Sequence, residues 1–350
     1  MPTSTIAASE IETAMPPLIG LNMSIESTAA SGVERLFVPP DYVAAVAGAG
    51  GVPLCIPPGE DLATIRKIIP RLRGFLFIGG ADYRPEHYGG HPQPAEELVH
   101  PRRDRFDVAL AKTILEETDL PVLGICGGCQ LLSIIRGGAL IQDIGTEWRP
   151  PGGGPSLPHS AKDRERGVGD EAPADFPDLI TATTPAEETK EAETHRTGAL
   201  AGEEKGMANG PTADKADKAA TGESSNRPAA SPGRVHPEGS KDCYLHSVRF
   251  APLSLATCTT GTPPGEALAA NSFHHQAVHP ERVGKDLVAS AWTADGIIEA
   301  IESAPGSAWA EIGRFVLGVQ WHPERMQEEA PHRRLFLVLV EAASRYRRRK

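Results

Sequence analysis

The stretch "PVLGICGGCQLLSIIRGG", residues 121–138, decides how this chain is read. Its first five residues, "PVLGI", form a short apolar run of strand type. From Gly128 the sequence "GCQLLSIIRGG" reads as a helix that stops at Gly137 and Gly138. Cys126 stands at the junction and Cys129 follows three residues on. A zinc clip would need a second C-x-x-C or an H-x-x-x-H pair, and no such pair stands at finger spacing from Cys126 and Cys129. A thioredoxin-like redox pair fits a cysteine motif after a strand, but gives the flanking glycines no role. The reading as a nucleophile uses every residue. Gly124-Ile125-Cys126-Gly127-Gly128 has the form G-x-nucleophile-x-G between a strand and a helix, where a strained turn lifts the side chain above the sheet. A helix N-terminus favours the thiolate, and the N–H of Gly127 can face a developing oxyanion. Cys129, one turn further on, reads as a small buried packing residue.

Strand and helix signals alternate around this stretch. "PLIGLN", "VPLCIP" and "GFLFIGG" read as strands, and "PPDYVAAVAGAGG" as a helix with prolines at its start and glycines after it. "EDLATIRKIIPRL" carries Leu62, Ile65, Ile68 and Ile69 at helical spacing, and "RDRFDVALAKTILEET" puts Phe106, Leu110 and Ile114 on one face. This rhythm predicts an α/β fold with a mostly parallel sheet between two helical layers. Later segments, "CYLHSVRF", "KDLVASAWT", "GIIEAIES" and "RFVLGVQWH", predict additional strands, some antiparallel. The chain closes on a helix, "PHRRLFLVLVEAASRYR", expected to turn Leu335, Leu337, Val338 and Val340 inward.

Between Ala161 and Ser240 acidic residues outnumber basic ones 16 to 10, and Phe176 is the lone aromatic. So little apolar surface cannot offset the entropy of ordering the chain, so about 155–241 is expected to be a disordered insertion. The predicted organisation is a flexible start (1–16), one domain over 17–343 broken by that insertion, and a basic tail (344–350).

Net charge is −11 over 350 residues, which argues against nucleic acid as a partner. The basic cluster Arg345, Arg347, Arg348, Arg349 and Lys350 reads as a solvated terminus. No run approaches 18 apolar residues, so no membrane span is expected. The start lacks the basic and apolar regions of a secretory signal, and five scattered cysteines form no disulfide framework; a cytoplasmic location is the expectation.

A thiolate nucleophile needs a base, and the base an orienting carboxylate. "GVQWHPE" runs from a strand into His322 and Glu324, two residues apart and on one side if extended. Together, "PVLGICGGCQLL" and "GVQWHPE" resemble the class I glutamine amidotransferase superfamily. "GFLFIGGADYRPEHYGG", "RDRFDVAL", "GGALIQDI", "NSFHHQAV" and "DGIIEAIE" resemble, in order, blocks of its γ-glutamyl-γ-aminobutyrate hydrolase-like family. The resemblance spans roughly 17–150 and 242–343. It implies a flavodoxin-like three-layer core and a Cys126, His322, Glu324 triad. It also implies oxyanion donors at Gly80 and Gly127, and cleavage of a γ-glutamyl amide through a thioester, as in polyamine breakdown. It implies that Gln130, His274 and His275 bind substrate; structural hydrogen bonding stays open for the two histidines, as does helix packing for Gln130. Arg103 and Asp104 look like an ion pair at a helix start. One departure stands out: where this family carries arginine after the nucleophile, this chain has Gly127, which leaves the substrate open. "GICGG" also occurs in cobyric acid synthases, whose other blocks are missing here.

The alternatives are a glutaminase serving a separate synthetase, a non-catalytic binding module, and a redox protein using Cys126 and Cys129. Relatives often pair, so a homodimer is possible. No cofactor or metal is indicated: His274, His275 and His279 are close together, but their spacing on a predicted strand and loop does not make a convincing ligand set.

Overall fold

The computed structural model describes residues 15–27, 32–59, 62–151 and 244–347; the expected insertion and the first residues of the chain lie outside these. The chain runs β1 (Leu18–Asn22), β2 (Ser24–Ser27), β3 (Glu34–Phe37), α1 (Pro40–Gly48), β4 (Val52–Ile56), α2 (Ala63–Ile68), β5 (Gly74–Phe77), α3 (Pro101–Glu117), β6 (Val122–Ile125) and α4 (Gly127–Ile135). It continues with β7 (Leu140–Ile141), α5 (Ile144–Glu147), β8 (Tyr244–Phe250), α6 (Leu255–Thr260), β9 (Ala267–Ser272), β10 (Ala277–Val278) and β11 (Leu287–Trp292). The last elements are β12 (Ile298–Ser303), α7 (Ala308–Glu311), β13 (Val316–Val319) and α8 (Ala330–Arg345).

One nine-stranded sheet organises the molecule, in the order β4-β1-β5-β6-β13-β12-β11-β8-β9. From β4 to β13 every pairing is parallel; from β13 to β9 every pairing is antiparallel. The parallel strands are apolar on both faces because helices cover both. The two-residue period of β5 divides its side chains cleanly. Phe75 and Phe77 join Phe106, Leu110 and Ile114 of α3 and Leu131 of α4 on one face. Leu76 and Ile78 join Tyr42 and Val46 of α1 and Leu335, Phe336 and Leu339 of α8 on the other. The three layers follow directly. β2 and β3, a polar antiparallel pair, carry no apolar pattern that announces them. No described helix is long and apolar enough to cross a membrane.

In α8 the expected inward set needs correction. Leu337 is exposed and Val338 only half-buried, while Phe336 and Leu339 are buried. At 100° per residue, positions 335, 336, 339, 340 and 343 form the stripe and Leu337 falls outside it.

The first turn of α8 holds a pH-sensitive group. Trp321 Nε1–H donates to Nδ1 of buried His332 (3.1 Å), and His332 Nε2–H donates to the Ala269 carbonyl (3.1 Å). Both nitrogens are therefore engaged by the neutral ring. Burial pulls the His332 pKa down to about 4 from its ordinary 6.5. With the folded value depressed, an unfolded chain takes up a proton below pH 6.5 that the fold refuses until about pH 4. Stability falls across that window, by about 2 kcal/mol between pH 7 and pH 5. In urea unfolding, the stability advantage of wild type over His332→Gln should shrink by that amount between these pH values. A gap independent of pH would contradict this assignment.

Candidate active site

Cys126 ends β6 and caps α4 with φ 52° and ψ −112°, a conformation that side-chain-bearing residues avoid. Such strain is typically worth about 1–3 kcal/mol and persists only where the surroundings enforce it. They do so here. A Cβ on Gly124 would lie 2.6 Å from the Gly128 carbonyl oxygen, and one on Gly128 would overlap the Phe77 carbonyl. The glycines two before and two after Cys126 thus let α4 begin directly against β5 and β6. Cys126 N–H donates to Val319 O (2.8 Å), which ties the turn to β13.

Beyond the end of β13 the chain delivers His322 and Glu324. His322 Nδ1 lies 2.7 Å from Glu324 Oε1. The approach is made through a tight 3₁₀ turn, Pro323–Arg325, rather than the extended segment expected. Burial disfavours a charged His322 ring, but Glu324 and Cys126 outweigh it and hold its pKa up at about 10. The ring is therefore an imidazolium at neutral pH, in hydrogen-bonding contact with the Cys126 sulfur.

Several neighbours that sequence reasoning missed fix this pair. Asn271, at the end region of β9, clamps the His322 backbone: His322 N–H donates to Oδ1 (2.7 Å) and Nδ2–H donates to the His322 carbonyl (2.9 Å). The Phe273 ring stands edge-on to the imidazole, centroids 5.4 Å apart. The Tyr42 hydroxyl accepts from Gly79 N–H (3.0 Å) and lies 3.4 Å from His322 Nδ1. Burial, then the Glu324 charge, push its pKa well up, so it stays neutral. Gln320 Nε2 donates to Cys126 Sγ (3.6 Å). Gln320 lies two residues before His322 in the quoted "GVQWHPE", which was its signal.

The Gly79–Gly80 loop after β5 closes the site. A Cβ on Gly79 would stand 3.0 Å from His322 Cε1 and 3.2 Å from Cys126 Cβ. A Cβ on Gly127 would stand 3.5 Å from Gly80 N, so the backbones of Gly80 and Gly127 adjoin beside Cys126. That separation is ordinary van der Waals contact, hence Gly127 has room for a side chain while Gly124 and Gly128 do not.

A buried polar network holds the loop. Arg103 Nη2–H donates to the Gly79 carbonyl (2.9 Å), Nε–H to Asp107 Oδ2 (3.0 Å) and Nη1–H to Ser24 Oγ (2.9 Å). Asp107 Oδ2 also accepts from Asn22 Nδ2 (2.7 Å) and Tyr83 OH (2.9 Å), and Asn22 Oδ1 accepts from Ile78 N–H (2.9 Å). The expected Arg103–Asp104 pair is corrected here. Consecutive helical residues point about 100° apart, whereas i and i+4 share a face, so Arg103 pairs with Asp107. Asp104 instead lies 2.7 Å from His87 Nε2.

The remaining expected residues fall as follows. Gln130 Nε2 donates to Gln320 Oε1 (3.3 Å) and to the Gln276 carbonyl (3.0 Å). His275 bridges two carboxylates, Nε2 at 2.9 Å from Asp82 and Nδ1 at 3.5 Å from Asp143. Its burial favours the neutral ring, but Asp82 and Asp143 raise its pKa overall. His274 lies 3.0 Å from the Gln276 carbonyl through Nδ1 and 3.4 Å from Glu299 through Nε2. Cys129 is buried on the opposite face of the sheet, with its thiol pKa pushed well up by burial.

An α/β sheet with a strained cysteine at a strand-to-helix turn, beside a histidine–glutamate pair on the adjacent strand end, defines a class I glutamine amidotransferase-like protein. The Peptidase C26 family pattern matches residues 17–156 and 223–324, and the chain belongs to that family. A Mycobacterium tuberculosis protein named "Putative glutamine amidotransferase" is 29% identical over 94% of this chain and 76% of its own length. A Rickettsia prowazekii protein named "Putative glutamine amidotransferase-like protein" is 29% identical over 87% of this chain and 88% of its own. The γ-glutamyl-γ-aminobutyrate hydrolase of Escherichia coli O157:H7 is 30% identical over 29% of this chain and 40% of its own. Family and relatives make the chain a hydrolase- or amidotransferase-like enzyme.

Proposed function

We propose that this enzyme hydrolyses the γ-glutamyl amide bond of a small γ-glutamyl amine through a thioester on Cys126. The observation that carries this reading is the strained Cys126 in contact with an imidazolium whose other nitrogen is 2.7 Å from Glu324. The Cys126 thiolate attacks the γ-carbonyl carbon, and the oxyanion is received by the N–H groups of Gly127 and Gly80. His322 gives its Nε2 proton to the departing amine and Glu324 holds the ring through Nδ1. Water then enters, His322 takes its proton, hydroxide attacks the thioester, and glutamate leaves with the thiolate restored. Donors to such an oxyanion are worth roughly 3–4 kcal/mol each. Gln130 acts here through Gln320, which it holds against the sulfur. His274 and His275 support the pocket wall through their carboxylate contacts.

A release assay over a panel of γ-glutamyl amines and free glutamine tests the reading. Activity on one or more γ-glutamyl amines by the chain alone is expected. Activity confined to glutamine, and only with a co-purifying synthetase, would favour the ammonia-supplying alternative that two relatives' names suggest. In the same assay Gly127→Arg should shift KM across the panel by about tenfold, the worth of one charged contact, with an unchanged melting temperature. A collapse in melting temperature would contradict the space found at Gly127.

A further inference from the structure

Three buried side chains from separate parts of the chain meet on the antiparallel arm of the sheet. His246 lies on β8, Glu299 on β12 and His274 between β9 and β10. Their side chains are 5%, 0% and 2% exposed. The Nε2 atoms of both imidazoles stand 3.4 Å from one oxygen, Glu299 Oε1. No hydrogen bond of full geometry reaches either oxygen of Glu299, and its nearest polar partners are the two imidazoles. A fully buried carboxylate is costly unless a cation stands beside it, here a protonated imidazole or a bound metal ion.

The tautomer of His274 narrows the choice of cation. Its Nδ1 is 3.0 Å from the Gln276 carbonyl, an acceptor, so Nδ1 carries the proton. In the neutral ring the Nε2 lone pair then points toward a carboxylate oxygen, and two acceptors face each other at 3.4 Å. Either a second proton on His274 or a metal ion held between the two atoms resolves this, and the spacing favours the ion. Zinc bound to nitrogen and oxygen at about 2.0–2.1 Å sets tetrahedral ligand atoms about 3.3–3.4 Å apart, which is the spacing found twice here. One donor atom from each residue can be chosen with all three within 4.8 Å of one another. Two histidines and a glutamate form a known zinc ligand set, and a metal-bound histidine gives its other ring N–H to a carboxylate, carbonyl or water, as His274 does to the Gln276 carbonyl.

We propose that His246, His274 and Glu299 bind one divalent transition-metal ion of the zinc class, with water at the fourth position. The ion ties β8 and β12 to the segment before β10. Phe273, adjacent to His274, packs on His322, and the Glu299 carbonyl accepts from Gln320 N–H (2.8 Å), so the ion braces the wall of the active site from one strand away. No sequence spacing announces this set, because His274 pairs with distant residues rather than with His275 or His279.

The test uses the full chain carrying Cys126→Ser, which removes the thiolate as a competing ligand. Protein produced with zinc supplementation is gel-filtered against a weak chelator and its metal measured by elemental mass spectrometry. The expected result is about one zinc per chain, falling at least tenfold in Glu299→Gln and in His246→Asn. Cobalt substitution should give tetrahedral d–d absorption, and in the wild type this should come without a thiolate charge-transfer band. Absence of stoichiometric metal from the Cys126→Ser protein would overturn the proposal. So would metal retained in the ligand variants, or a thiolate band in cobalt-loaded wild type. Should the ligand variants not fold, the metal content of Cys126→Ser and the wild-type cobalt spectrum decide alone.

Discussion

Cys126→Ala is expected to lower the rate of γ-glutamyl amide hydrolysis by about 10⁴-fold or more, the usual consequence of deleting a nucleophile. Cys129→Ala should keep activity within about threefold, and should cost about 1–2 kcal/mol of stability for the small cavity it leaves. Both cysteines are buried free thiols, but their backbones and neighbours differ. Cys126 caps a helix at φ 52°, touching an imidazolium. Cys129 is buried behind the sheet, so close to the neighbouring strand that a Cβ on Gly318 would lie 2.9 Å from its sulfur. Burial keeps its thiol protonated. Because the backbone at 126 disfavours any side chain, Cys126→Gly should be inactive yet at least as stable as wild type, with relief of about 1 kcal/mol. Kinetics on the purified variants, with thermal unfolding of each, measure both halves. Equal loss of activity in the two alanine variants would point to dithiol chemistry instead.

Asp107→Asn should destabilise the fold by about 3–5 kcal/mol, because it leaves the Arg103 guanidinium buried without its counter-charge. Arg103 and Asp107 side chains are 2% and 0% exposed, so solvent offers no substitute. Burial raises the Asp107 pKa against the pull of Arg103, which marks the pair as one held by mutual compensation. For a domain of this size the loss corresponds to roughly 10 °C in melting temperature. The double variant Arg103→Met/Asp107→Leu should recover part of it, since an apolar pair removes both charges together. It should not recover activity, because the Gly79 carbonyl loses the guanidinium that fixes the loop beside Cys126. Additive losses in the double variant would show that the two side chains are not coupled.

What could be read from the sequence, and what could not, divides by distance along the chain. The turn at Cys126 was legible because its constraint is local: Gly124 and Gly128 are fixed by close backbone contacts within the same strand–turn–helix. The partnership of His322 and Glu324 was legible for the same reason, though through a tight turn rather than an extended strand. The network Asn22–Asp107–Arg103 was not, because Asn22 and Asp107 are 85 positions apart and only the parallel stacking of β1 and β5 beneath α3 joins them. Adjacent charges at Arg103 and Asp104 suggested a pair that helix geometry forbids. Asn271 and Tyr42 gave no pattern at all; each is an ordinary strand or helix residue until β9 and α1 bring it to His322. Leu337 misled because an unbroken apolar run in α8 hides the helical period.

The most direct measurement of the central claim is peptide mass spectrometry after reaction with a γ-glutamyl-like electrophile, run against excess substrate as protection. The account predicts one covalent adduct, on the peptide bearing Cys126 at that residue, formed in step with loss of activity and slowed by substrate. An adduct on Cys129, or inactivation that leaves Cys126 unmodified, would contradict it.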